Sequence, residues 1–176
     1  MHPIKHFKLI THHKWLVFKL CCKVGEPWRG LTHDLSKYSP TEFWEGAKYF
    51  VGTHSPITEA KQDKGYSEAW LHHKGRNKHH SEYWYDHSAP DSTPVIPYKY
   101  AAEMICDKLA AGMAYKGKEF TNEYELEYWM KEKDRINVNR KTEKFVTEVL
   151  TQVAKNGINK TLTKRNIKSI YKKYCE

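Results

Sequence analysis

The chain has 176 residues, 39% apolar and 14% aromatic, which is long enough for one domain with its own core and too apolar for a disordered segment. Lys and Arg number 30 against 21 Asp and Glu, a formal charge of +9 that favours anionic partners without choosing among phosphates, nucleotides and nucleic acid. No stretch approaches the ~20 apolar residues of a membrane helix. The opening MHPIKHFKLITHHK lacks the apolar run and cleavage site of a signal peptide, so a cytoplasmic protein with no membrane partner is expected.

Helical periodicity runs through most of the chain. Over residues 6–25 the apolar positions Phe7, Ile10, Trp15, Phe18 and Cys22 recur at helical steps, and Gly25 is a plausible stop. Residues 40–50 predict a helix with Pro40 in its first turn and Glu42 near its positive end. The polar stretch 51–65 has little apolar period and reads as a loop or lid. Residues 66–85 predict a helix interrupted or capped near Gly75. Three prolines make 86–97 irregular. The strongest helical signal is 98–115, where Ala101, Met104, Ile105, Leu109 and Met113 form an apolar stripe. Thr121 is the expected N-cap of a helix that follows, and 142–157 and 163–174 supply two more. The expectation is one all-α domain over 1–176 with about seven helices. Cys21, Cys22, Cys106 and Cys175 have no Cys-x-x-Cys spacing, and apolar neighbours surround three of the four. They read as small buried apolar side chains in a reducing cytoplasm.

The histidines carry the chemistry. Of 11, six fall in the doublets His12–His13, His72–His73 and His79–His80, and His33 adjoins Asp34. Imidazoles grouped with carboxylates suit first-row transition metals. On a continuous helix His73 and His80, nearly two turns apart, would share a face, with Asn77 between them and Arg76 near. Asp107 interrupts the most apolar helix, among Met104, Ala110, Ala111 and Ala114. An unpaired buried carboxylate is expensive, and a metal ion would satisfy it.

The ordered set His13, His33–Asp34, His73, His79 or His80, and Asp107 resembles the HD-domain superfamily of metal-dependent phosphohydrolases. HKWLV (13–17) is similar to the superfamily's opening helix. HDLSK (33–37) is similar to its His–Asp doublet with a lysine three residues on. HHKGRNKHH (72–80) supplies the further histidines of two-metal branches, and EMICDKLA (103–110) the final aspartate. The resemblance covers about 10–115 and leaves the helices of 121–176 without a counterpart. The wording of 72–80 departs from the usual superfamily text. The resemblance implies an HD-like helical bundle holding two divalent ions (Mn, Fe, Co, Ni or Mg). His13, His33, Asp34, His73, His79 or His80, and Asp107 are the implied ligands, with Asp34 bridging. It also implies hydrolysis of a nucleotide or other small phosphate ester by a metal-activated hydroxide. Asp34, Lys37 and Arg76 are then the catalytic residues, Lys37 and Arg76 contact the phosphate, and Arg29 lies within reach. Two other functions fit the same residues. One is a di-iron oxygenase, since some HD-fold enzymes use nearly the same ligands. The other is a basic nucleic-acid-binding module with a structural metal site.

Overall fold

Pro3 opens the longest helix and Gly25, at φ +81°, closes it, so α1 spans Pro3–Val24. In the computed structural model, which describes residues 1–176, nine more helices follow: α2 (Pro27–Thr32), α3 (Pro40–Lys48), α4 (Pro56–Lys64), α5 (Glu68–Lys74), α6 (Tyr98–Lys116), α7 (Tyr124–Glu132), α8 (Arg140–Asn156), α9 (Ile158–Thr161) and α10 (Lys164–Cys175). There are no strands, and short 3-10 turns at 35–38, 81–84, 117–119 and 133–135 link several helices. The chain is all-α, as its periodicity predicts, with ten helices instead of about seven. No helix is long and apolar enough to cross a membrane.

The differences have identifiable causes. Residues 51–65, expected to be a loop, contain α4. Its signals lie at its ends: the Ser55 hydroxyl accepts from the Ile57 N–H at 3.3 Å, Pro56 occupies the first turn, and Gly65 caps it at φ +80°. Only Ala60 is buried there, so no apolar stripe announces the helix. The expected helix 66–85 is α5 alone, ending at Gly75. His73 and His80 therefore share no continuous helix, and turns carry the second doublet. The short α2 and α9 escape a period-based reading, and α7 begins three residues after Thr121.

The buried face of α1 also differs from the expected stripe. Phe7, Trp15 and Cys22 are exposed, while His6, Ile10, His13, Val17, Cys21 and Val24 face inward. His13 takes an inner position because a polar site lies beneath this helix, and His6 packs against Phe43 and Phe50. Cys21, Cys106 and Cys175 are buried as expected, whereas Cys22 is exposed because it lies on the outer face of α1.

The apolar core joins Val17, Leu20 and Val24 of α1 to Ile105 and Leu109 of α6, Trp129 of α7, Phe145 and Val149 of α8, and Ile167 of α10. α6 runs through the middle and is buried around most of its circumference, including Glu103. α2 lies across α1 and delivers His33 at its end. Their approach is close: a Cβ at Gly30 would sit 2.7 Å from Phe18 Cα and 2.8 Å from Cys21 Cβ. Because helix backbone is one of the obstacles, Gly30→Ala should destabilise the protein by about 1–3 kcal/mol. Thermal unfolding would register this as a drop of several degrees, and an unchanged midpoint would mean that the approach is not required.

Candidate metal centre

The His33–Asp34 doublet sits where the chain turns out of α2. Asp34 has φ +51°, the only non-glycine residue with positive φ. Aspartate is among the few residues that enter this region readily, and such strain concentrates at functional sites. The turn directs both consecutive side chains inward, and both are buried. The Lys14 ammonium on α1 secures the turn by donating to the carbonyls of Leu31 (2.6 Å) and His33 (3.0 Å).

Around Asp34 the structure gathers all seven of the expected ligand residues into two groups that share it. In one group, Asp34 Oδ1 lies 3.4 Å from His73 Nε2 and 3.5 Å from His79 Nε2, and His73 Nε2 lies 2.9 Å from His80 Nε2. In the other, Asp34 Oδ2 lies 3.3 Å from His33 Nε2, which is 3.3 Å from Asp107 Oδ1 and 3.4 Å from His13 Nε2. His13 Nε2 and Asp107 Oδ1 are 3.0 Å apart. Both members of the 79–80 doublet therefore take part, and His13 is the buried member of its pair while His12 is exposed. Two donors each about 2.1 Å from one ion and at right angles lie about 3 Å apart, so these separations suit shared cations.

Hydrogen bonding makes the same point. Six buried side-chain atoms lack a hydrogen-bond partner, and four of them are both oxygens of Asp34 and both ring nitrogens of His79. Lys37 Nζ is 2.7 Å from Asp34 Oδ2, but its approach is not aligned as a hydrogen bond. Groups so deeply buried are almost always satisfied; His79 Nδ1 faces Glu103 at 3.3 Å, and cations would satisfy the other three.

Two carboxylates that the sequence reading passed over orient the imidazoles. Glu103, buried in α6 one turn before Asp107, lies 3.0 Å from His33 Nδ1 and 3.3 Å from His79 Nδ1, and its other oxygen takes two contacts from Arg29 at 2.7 Å. Glu42 accepts from His73 Nδ1 at 2.7 Å and His72 Nδ1 at 2.6 Å. An imidazole whose Nδ1–H is given to a carboxylate presents Nε2 as a lone pair when neutral, which is the form a metal takes. The i, i+4 spacing of Glu103 and Asp107 on an apolar helix was the available signal. Glu42 had none beyond its place near a helix start.

Charge agrees. Burial disfavours ionisation of Asp34, yet His33, Lys37 and His73 hold its carboxyl well below the usual range. Burial likewise opposes Asp107, but hydrogen bonds from His13 and His33 keep it ionised. Burial is overcome at Glu103 too, whose carboxyl falls to about 2 beside His33 and His79. The His80 imidazole is held neutral, first by burial and then by His79 and His73. Burial also lowers His13. Burial opposes a charge on His33 too, but Asp34, Asp107 and Glu103 raise its imidazole well above the ordinary value, so it is protonated in the absence of a cation. The result is ionised carboxylates beside imidazoles of which His13 and His80 are held neutral, and a divalent ion would take the place of the His33 proton.

The expected phosphate contacts divide. Lys37 borders the cluster. Arg76 does not: it is exposed and turns back to the carbonyl of His72 at 3.3 Å, because α5 ends there. Arg29, placed within reach of the phosphate by sequence, is spent on Glu103. Two cavities open onto the cluster. The smaller, about 200 Å³, is bordered by His13, His73, Lys37 and the apolar Leu9, Ile10 and Ile57. The larger, about 340 Å³, is bordered by His79, His80 and Asp107, with Tyr115, Tyr128 and Glu125. Glu125 went unnoticed in the sequence. Burial pushes its carboxyl up to about 7, and Gly112 leaves it room, since a Cβ there would meet Glu125 Oε1.

The model of a family of unknown function (DUF5662) matches residues 2–152, which include every residue of the cluster. No curated protein and no solved structure matches the chain.

Glu103→Gln should weaken metal binding by roughly 10–100-fold while every ligand remains. Competition with a chromophoric chelator measures this, and parental affinity would remove Glu103 from the orienting role. Glu125→Gln tests the second carboxylate. With a folded value near 7 against 4.5 in the open chain, the native state binds the proton more tightly, so this residue's contribution is present at low pH and lost as pH rises through 7. In chelator-treated protein the substitution should stabilise by up to about 3 kcal/mol above pH 8 and by little at pH 4. Equal effects at both pH values would contradict the assignment.

Proposed function

We propose that this chain, which belongs to a family of unknown function (DUF5662), is an HD-like metal-dependent phosphohydrolase acting on a small phosphate ester. The observation that carries the reading is Asp34, whose two hydrogen-bond-free oxygens each face a separate set of imidazole donors. That is the arrangement a carboxylate needs to be shared by two cations. The ordered His, His–Asp, His, His, Asp pattern adds the resemblance in sequence.

Divalent ions held by these residues would supply Lewis acidity and lower the pKa of water at the site. The chain's own groups do the rest. Glu42 and Glu103 fix the orientation of His73 and His33. Lys37, kept charged by Asp34 and Asp107 despite burial, places a cation beside the cluster where phosphate oxygens would gather. Trp70, Tyr115 and Ala111 border both cavities and limit the water that reaches the reacting ester. Glu125, holding a proton near neutral pH on the larger cavity, can give it to a leaving oxygen.

Elemental analysis of chelator-free protein, followed by a screen of small phosphate esters with Mn, Fe, Co, Ni and Mg, tests the reading. Bound metal and turnover are expected, with a lower melting temperature after chelation. Asp34→Asn, which tolerates the left-handed backbone, should lose metal and turnover together. Lys37→Ala should keep metal and lose roughly 10²-fold in turnover. Iron-dependent oxygen consumption with no ester cleaved would replace hydrolysis by oxygenation.

A further inference from the structure

Away from the metal cluster the charge is one-sided. Residues 140–176 carry ten Lys and Arg against three Glu, so this fifth of the chain holds +7 of the total +9. Its helix α10 packs beside α1, which has five lysines and no acidic residue. Where α1 faces the end of α8 and α9 lies a cleft of about 530 Å³, bordered by Lys19, Lys23 and Lys160 with Asn122, Asn156 and Asn159, and by no carboxylate. The lysines that form ion pairs elsewhere are Lys37, Lys64, Lys108 and Lys133. The three of the cleft form none.

Aromatic surface leads into this cleft. Trp15, Lys19 and Lys23 stand four residues apart on α1 and so form one ridge. Trp15 is 55% exposed, stacks with Phe18 at 5.5 Å and 23°, and lies under the Lys19 ammonium at 5.9 Å. Unpaired lysines keep phosphate groups close. An exposed indole beside them offers a flat face to an unstacked base, which a duplex cannot present. The asparagines add donors and acceptors without charge.

We propose that the ridge Trp15–Lys19–Lys23 and the adjoining cleft at Lys160 bind single-stranded nucleic acid, with phosphates at the lysines and a base on Trp15. This face is built from residues that the metal centre does not use, so its binding is independent of metal content.

Fluorescence anisotropy of a labelled single-stranded oligonucleotide, in chelator and at low salt, tests the proposal. The set Lys19→Glu, Lys23→Glu and Lys160→Glu should weaken binding at least about 100-fold and reduce the slope of log affinity against log salt by about 2. The milder Lys→Gln set guards against misfolding and should weaken it in the same direction. Trp15→Ala should cost roughly 10-fold for the single strand and leave duplex binding unchanged. A control with the same change in charge elsewhere, Lys5→Glu, Lys118→Glu and Lys131→Glu, should lose less than about 3-fold. The proposal is overturned if the parent fails to bind, if the control set loses as much as the cleft set, or if Trp15→Ala has no effect on single strands.

Discussion

Everything around the candidate site follows from the problem of keeping Asp34 ionised inside the protein. Its carboxylate is buried, sits on a left-handed turn, and has no hydrogen bond to either oxygen. Burial of such a charge is tolerated only with compensating positive charge close by. The fold surrounds it with imidazoles from α1, the end of α2, α5 and the turn after α5, and with the Lys37 ammonium. Glu103 and Glu42 then hold the imidazoles from behind, and Arg29 balances Glu103. The polar interior is thus arranged as alternating layers of carboxylates and nitrogen donors centred on one residue, with positive charge supplied by His33 and Lys37.

This explains why the helices read so differently on their inner faces. α6 can be apolar nearly all round and still carry Glu103 and Asp107, because these two meet the imidazoles of the cluster while Ile105 and Leu109 join the apolar core. α1 divides its length similarly: His13 faces the site and His6 the smaller cavity beside it, while Val17, Leu20 and Val24 face the core. A helix that serves a polar centre at one end and an apolar core at the other has no uniform hydrophobic stripe.

The same division determines what the sequence could disclose. Long helices with apolar periods, α6 and α8, were legible, and so was the all-helical class. The residues gathered at the cluster were legible too, because paired histidines and a lone carboxylate in an apolar run are unusual in a helical surface or core. α4 was not, since its capping signals lie outside any apolar stripe. The inward face of α1 was misread because Phe7 and Trp15 were counted as core while His6 and His13 were the buried residues. Beyond the i, i+4 spacing of Glu103 with Asp107, the sequence does not show Glu42 and Glu103 as partners of imidazole, because which histidine nitrogen meets which carboxylate depends on packing between helices far apart in sequence. Arg76 failed for the same reason: its direction is set by where α5 stops.

The spacing of the gathered residues has a consequence for how such a centre comes into being. His13 of α1 meets Asp107 of α6 at 3.0 Å, and His33 meets Glu103 over a separation of 70 residues. A zinc finger places its ligands a few residues apart, so the ion can organise a short peptide. Here the chain must close several long loops before any pocket exists, and loop closure is paid in entropy before contacts reward it. Cations would therefore be loaded after the topology is complete, as a late addition to a nearly finished protein and not as the seed of its folding.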